Sequence, residues 1–204
     1  MYLFKTPFIF RWIFPRKIWG VSSSQHVYLT FDDGPTEELT PWILNELKKE
    51  NIKATFFCVG ENAKSNPGLM HEMRAAGHVI ANHTMRHENG NKVSKQAYLK
   101  SIEDAEPYTS SKLFRPPYGR LPFSFVRPIR KKYEIVMWSW LSYDYDHSVP
   151  VDKILIEAQK IKAGDILVLH DNAKVEERIK VLLPKLIQML KAKGFTFDVI
   201  TTCN

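Results

Sequence analysis

Adjacent carboxylates close an apolar run at Thr30-Phe31-Asp32-Asp33-Gly34-Pro35, and two imidazoles four residues apart follow in Asn82-His83-Thr84-Met85-Arg86-His87. A borderline divalent cation such as zinc takes imidazole nitrogen and carboxylate oxygen. In catalytic sites it uses three protein ligands and leaves one position for water. One carboxylate and two imidazoles make such a set, and the second carboxylate is then spare to act on that water. Chemistry of this kind is metal-dependent hydrolysis. His83 and His87 stand one helical turn apart, so both reach one ion if their loop carries a turn of helix. A zinc peptidase would instead need His-Glu-x-x-His, and Thr84 occupies the glutamate position.

These groups must be positioned by regular elements, and strand-like and helix-like stretches alternate along the chain. Strands are expected at 26–31, 53–59, 78–81, 112–115, 134–138, 165–169 and 195–200. Helices are expected at 36–50, 61–76 (interrupted at Pro67), 94–106 (ended by Pro107), 123–132, 152–162 (closed by Gly164) and 175–193. Repeated strand–helix units imply a parallel sheet covered by helices. About seven strands in a chain of this size suit an α/β fold of the irregular (β/α)7-type barrel. Asp32, Asp33, His83, Arg115, Asp144 and His170 all fall at or just beyond carboxyl ends of these strands, the face where βα loops gather functional groups.

At 204 residues, with 44% hydrophobic and 25% charged positions, the chain is sized for one soluble globular domain. The formal charge is +7. No nucleic-acid-binding signature accompanies it, so nucleic acid is not an expected partner. Cys58 and Cys203 are the only cysteines and do not make a disulfide framework. Residues 1–19 are rich in aromatics, interrupted by Lys5, Arg11, Arg16 and Lys17. The uncharged run 6–10 is too short for a signal-peptide core or a membrane span. A location in the cytoplasm or peripherally at the inner membrane face is therefore expected, with a cell-envelope substrate open. Residues 1–24 read as a wrap around the barrel or a segment seated at an anionic membrane, and residues 25–204 as the catalytic domain.

Four motifs in this order, Thr-Phe-Asp-Asp-Gly-Pro at 30–35, His-Thr-x-x-His at 83–87, Arg-Pro-Pro-Tyr-Gly at 115–119 and Leu-His-Asp at 169–171, resemble those of the polysaccharide deacetylases. These are the NodB-homology proteins of carbohydrate esterase family 4. The likeness runs from about Tyr28 to Asp171. It implies hydrolysis of N-acetyl groups from amino sugars of a peptidoglycan- or chitooligosaccharide-type glycan; separately, the chain is expected to act as a monomer. A lipid-linked amino sugar is an alternative substrate, and an inactive glycan-binding module is an alternative function.

By the same resemblance, Asp33, His83 and His87 hold the metal. Zinc is the default by ligand type, and cobalt, nickel or iron also accept the set. Asp32 is implied as the base, oriented by Arg115, and the Tyr118 backbone N–H as the oxyanion donor. His170 is implied as the acid, supported by Asp144. The stretch Leu141-Ser142-Tyr143-Asp144-Tyr145 departs from the family's Asp-x-x-Asp-Trp, with Leu141 for the first Asp and Tyr145 for the Trp. Asp146 competes with Asp144 if the register slips by two. Substrate contacts are expected from Tyr145 and Pro117, with Leu167 and Leu169 forming a pocket for the acetyl methyl.

Overall fold

The computed structural model describes residues 2–14, 17–21 and 25–202. Cys203 lies outside them. The strands are β1 (His26–Asp33), β2 (Thr55–Cys58), β3 (Val79–Asn82), β4 (Leu113–Phe114), β5 (Glu134–Ile135), β6 (Trp140–Leu141), β7 (Ile166–His170) and β8 (Thr196–Phe197). The helices are α1 (Phe8–Ile13), α2 (Leu39–Lys49), α3 (Gly60–Ser65), α4 (Pro67–Ala75), α5 (Lys95–Thr109), α6 (Phe123–Ile129), α7 (Val151–Ala158) and α8 (Glu176–Ala192). The strands pair in parallel in the order β5-β4-β3-β2-β1-β7-β6, and β8 adds to β1. The sheet curls with helices outside it, the (β/α) barrel type that the alternation of elements implied.

Side-chain alternation along the strands builds two separate apolar layers. From β1 and β7, Val27, Leu29, Phe31, Leu167 and Leu169 join the helices in one core cluster. Tyr28 and Ile166 face the barrel interior with Phe57, Ala81 and Val136. A third cluster, around Tyr98, Phe114, Phe125 and Ile135, seats α5 and α6.

Several local expectations are corrected. The stretch 134–138 holds only the two-residue β5, and β6 is an additional strand, because Met137 N–H leaves the sheet to donate to Ile18 O. Pro107 does not end its helix, since α5 runs to Thr109. The one missing backbone donor falls near the C-terminus, and the helix closes beyond it with Ser110 N–H on Glu106 O and Thr109 Oγ1 on Ala105 O. Gly164 is left-handed but does not close α7, which stops at Ala158. It turns the chain into β7, where a Cβ would lie 2.3 Å from Val21 O.

Residues 2–6 run antiparallel beside the edge strand β6, with Leu141 N–H on Phe4 O and Thr6 N–H on Ser139 O. Ile18 pairs with Val136 beyond β5, and Gly20 with Asp165 before β7. The amino-terminal segment therefore occupies backbone donors and acceptors at both ends of the strand order, groups that an open sheet would otherwise leave unpaired.

Candidate active site

Carboxyl ends of β1, β3, β4, β6 and β7 surround one cleft of about 720 Å³. Asp32 faces the interior as strand alternation requires. Asp33, the next residue, would ordinarily point to the opposite face. Its φ of +82° turns the chain, so both carboxylates line the cleft. Gly34 follows because a Cβ there would meet Asp171 Oδ2 at 2.2 Å. Asp171 fastens this turn by accepting from Thr36 Oγ1 at 3.1 Å and Thr40 Oγ1 at 2.6 Å. Burial pushes its carboxyl up to about 7, against the lowering effect of those two hydroxyls.

Asp33, His83 and His87 offer ligand atoms that all lie within 4.8 Å of one another. Asp33 Oδ1 is 3.7 Å from His83 Nε2 and 3.1 Å from His87 Nε2. The two histidines are not brought together by a helical turn. Left-handed backbone at Thr84 (φ +65°) and His87 (φ +57°) folds the loop back instead. Such conformations cost on the order of 1–3 kcal/mol each for non-glycine residues. Asn82 Oδ1 accepting from Thr84 N–H, and Thr84 Oγ1 from Glu88 N–H, hold the fold-back in place.

This donor set fits a divalent cation on three observations. Asp33 Oδ1 is buried without a hydrogen-bond partner that meets normal geometry. Its other oxygen already accepts from Asn172 Nδ2 at 2.7 Å, so one lone-pair face remains aimed at the imidazoles. His83 Nδ1 lies 2.8 Å from the Arg115 carbonyl, so Nδ1 carries the proton and the Nε2 lone pair faces Asp33. Burial would by itself raise the Asp33 carboxyl. The close approach of His87 Nε2 and the field of His170 overcome this and hold it well below the usual range. Burial pulls His83 down to about 4 despite the neighbouring Asp32 carboxylate, which keeps its imidazole neutral.

Arg115 is fully buried beneath this group, its Nη1 2.6 Å from Asp32 Oδ1 and 2.7 Å from Thr30 Oγ1. Nη2 donates to Met137 O, and the guanidinium lies 3.9 Å from the centroid of the Phe57 ring. Its surroundings leave Asp32 with one anchored oxygen in a buried, oriented ion pair. His170 stands across the cleft, its Nδ1 2.6 Å from Asp144 Oδ1, while Asp144 Oδ2 accepts the His170 backbone N–H. Burial opposes protonation of His170, but Asp144 overrides it, and with Asp33 and Asp32 raises the imidazole to about 9. Asp146 is elsewhere, accepting from Tyr2 and Ser148, so Asp144 is the carboxylate beside His170.

Tyr118 lies at the cleft in left-handed backbone (φ +58°), its hydroxyl 3.2 Å from His87 Nδ1. Tyr145 also lines the cleft, edge-on to the His170 ring. Leu167 and Leu169 do not. Strand period turns them into the helix-side core, and Val168 takes the cleft position with Leu141 and Trp138. Pro117 is buried and likewise absent from the lining. Asn172, Asn62, Arg120 and Lys174 line the cleft without having been singled out. Asn172 had a usable signal, since it continues the inward series 166, 168, 170.

The family model described as polysaccharide deacetylase matches residues 20–137. A peptidoglycan-N-acetylglucosamine deacetylase of Bacillus cereus is 31% identical over 192 residues, spanning 90% of each chain. A chitooligosaccharide deacetylase of Sinorhizobium fredii is 30% identical over 200 residues, covering 89% of this chain and 91% of its own length. Among solved structures, a peptidoglycan N-acetylglucosamine deacetylase in complex with 4-naphthalen-1-yl-N-oxidanyl-benzamide superposes with a TM-score of 0.85 at 33% identity. That match covers 96% of this chain and 95% of the other. A cleft that gathers an Asp-His-His trio, a second aspartate on a buried arginine and a carboxylate-backed histidine thus comes with matching sequence over most of its length, and the chain belongs to the polysaccharide deacetylase family.

Proposed function

We propose that this chain hydrolyses N-acetyl groups from amino sugars of a glycan, acting as a single chain. The observation that supports this best is the placement of Asp32–Arg115 and His170–Asp144 around the Asp33, His83 and His87 trio in one cleft. A zinc ion held by the trio would polarise the amide carbonyl and lower the pKa of water, and cobalt, nickel or iron suit the same ligands. Asp32, fixed by Arg115, takes the proton as water adds to the carbonyl carbon. The Tyr118 backbone N–H donates to the developing oxyanion, a contact of a kind worth about 3 kcal/mol at the transition state. His170 gives its Nε2 proton to the sugar nitrogen as the C–N bond breaks, leaving acetate and a free amine. An inactive binding module would need none of these groups aligned.

Tyr118 and Tyr145 are exposed aromatics at the cleft and suit the apolar faces of sugar rings. Arg120 and Lys174 add two cations to the lining, which favours a glycan carrying carboxylates, as peptidoglycan does, over a neutral chitooligosaccharide. The test is acetate release from muropeptide-bearing glycan and from acetylated chitooligosaccharide, each with zinc, cobalt, nickel or iron added. Faster release from the anionic glycan is expected. Release from neither, with every metal, would remove the activity.

His170 keeps its transferable proton below about pH 9, so release should decline as pH rises through that value. Asp144→Asn removes the charge that raises it, and the alkaline limb should move down towards about 6.5, the ordinary imidazole value. An alkaline limb unmoved by that substitution would take His170 out of the acid role.

A further inference from the structure

The α1 turn has no part in the cleft. Phe8, Ile9 and Trp12 fall on one face of this short helix and are 76%, 57% and 79% exposed. Its opposite face is anchored. Phe10 stacks on Phe14 at 6.4 Å between ring centroids and lies 6.2 Å from Trp19, whose ring is buried in the cluster under α6. Single exposed apolar side chains are ordinary on any protein, whereas three large ones on one turn form a patch that needs a partner.

Charge narrows the partner. Residues 1–24 carry Lys5, Arg11, Arg16 and Lys17 and no aspartate or glutamate. Lys5 is engaged by Asp165. Lys17 follows α1 in the chain, its Nζ 4.8 Å from the Phe14 ring on the anchored side. Aromatic and aliphatic side chains among basic residues match the apolar–polar boundary of a bilayer with anionic headgroups, where tryptophan is enriched and lysine and arginine meet negative lipid. A second copy of the chain fits less well, because three side chains fall far short of the roughly 800 Å² per partner of a stable protein interface. No described helix is long and apolar enough to cross a membrane, so the fitting mode of contact is lateral and peripheral.

The fold also holds the patch in place. Before α1, Thr6 N–H bonds Ser139 O and Phe4 O accepts from Leu141 N–H. After it, Ile18 N–H bonds Ile135 O and Ile18 O accepts from Met137 N–H. Fixed on both sides, the excursion loses little further conformational freedom on binding. We propose that α1 is a membrane-docking turn that inserts Phe8, Ile9 and Trp12 into the interface of an anionic lipid bilayer. Among the described residues, none lining the cleft comes from 2–14 or 17–21, so the surface is separable from catalysis.

The test uses the full chain and vesicles of phosphatidylcholine with or without phosphatidylglycerol. The wild type should sediment with the anionic vesicles. A combined Phe8→Ser, Ile9→Ser, Trp12→Ser variant should bind them at least about tenfold more weakly, with unchanged acetate release on a soluble substrate. Brominated lipid should quench wild-type fluorescence more than that of Trp12→Phe. Equal vesicle binding by the triple variant overturns the proposal. So does absence of wild-type binding, including the case in which the patch instead mediates a concentration-dependent dimer that the variant loses. Substitutions are preferred to truncation because residues 2–6 pair with β6, and Tyr2 and Phe4 pack on Tyr143 next to Tyr145.

Discussion

Replacing Asp32 with asparagine should slow acetate release by about 10²–10⁴-fold, the usual contribution of a placed proton acceptor, while metal binding persists. Asparagine is nearly isosteric and its amide oxygen can still accept from Arg115 Nη1, now 2.6 Å from Asp32 Oδ1. What it cannot do is take a proton. The substitution also leaves the buried guanidinium without its anionic partner. Breaking a buried pair of this kind costs on the order of 3–5 kcal/mol of stability, so turnover should be measured well below the melting transition. Metal content and kcat, determined on the same sample, separate the two effects. Wild-type turnover in this variant would mean that Asp33, or another group, removes the proton.

Asp33→Ala should behave differently, losing both metal and turnover. Asp33 supplies the only carboxylate oxygen in the trio, and its negative charge is the main local compensation for a bound cation. Loss of an outer partner alone typically costs 10–100-fold in affinity, so loss of this ligand should weaken metal binding by more than about 100-fold. Titration with zinc followed by calorimetry measures the affinity. Added metal should restore little activity to Asp33→Ala but leave Asp32→Asn unchanged. Equal metal affinity of Asp33→Ala and the wild type would dissolve the proposed ligand set.

These two neighbours show how far the sequence could be read. Composition and alternating elements implied a parallel sheet with helices outside, and the polar motifs fell at carboxyl ends of strands, where they are found. Apolar periodicity located β1, β2, β3 and β7 well because each is a run of four or more residues. It blurred β5 and β6, which are two residues each and end where backbone groups bond the amino-terminal segment instead. Leu167 and Leu169 were misjudged for a related reason. Nearness to His170 in sequence suggested nearness to substrate, but alternation sends odd-numbered positions of β7 to the helices and even-numbered ones to the cleft.

The sequence by itself determined which chemical groups are available and the order of elements that carry them, because residue type and apolar period are local properties. Only tertiary structure decided which groups meet. Asp32 and Asp33 share one face because a left-handed residue breaks the strand's alternation. His83 and His87 converge through a folded-back loop rather than a helix. Asp144 rather than Asp146 reaches His170 because Asp146 is held by Tyr2, 144 residues away in the chain. Each outcome depends on backbone strain or a long-range contact, and local pattern encodes neither.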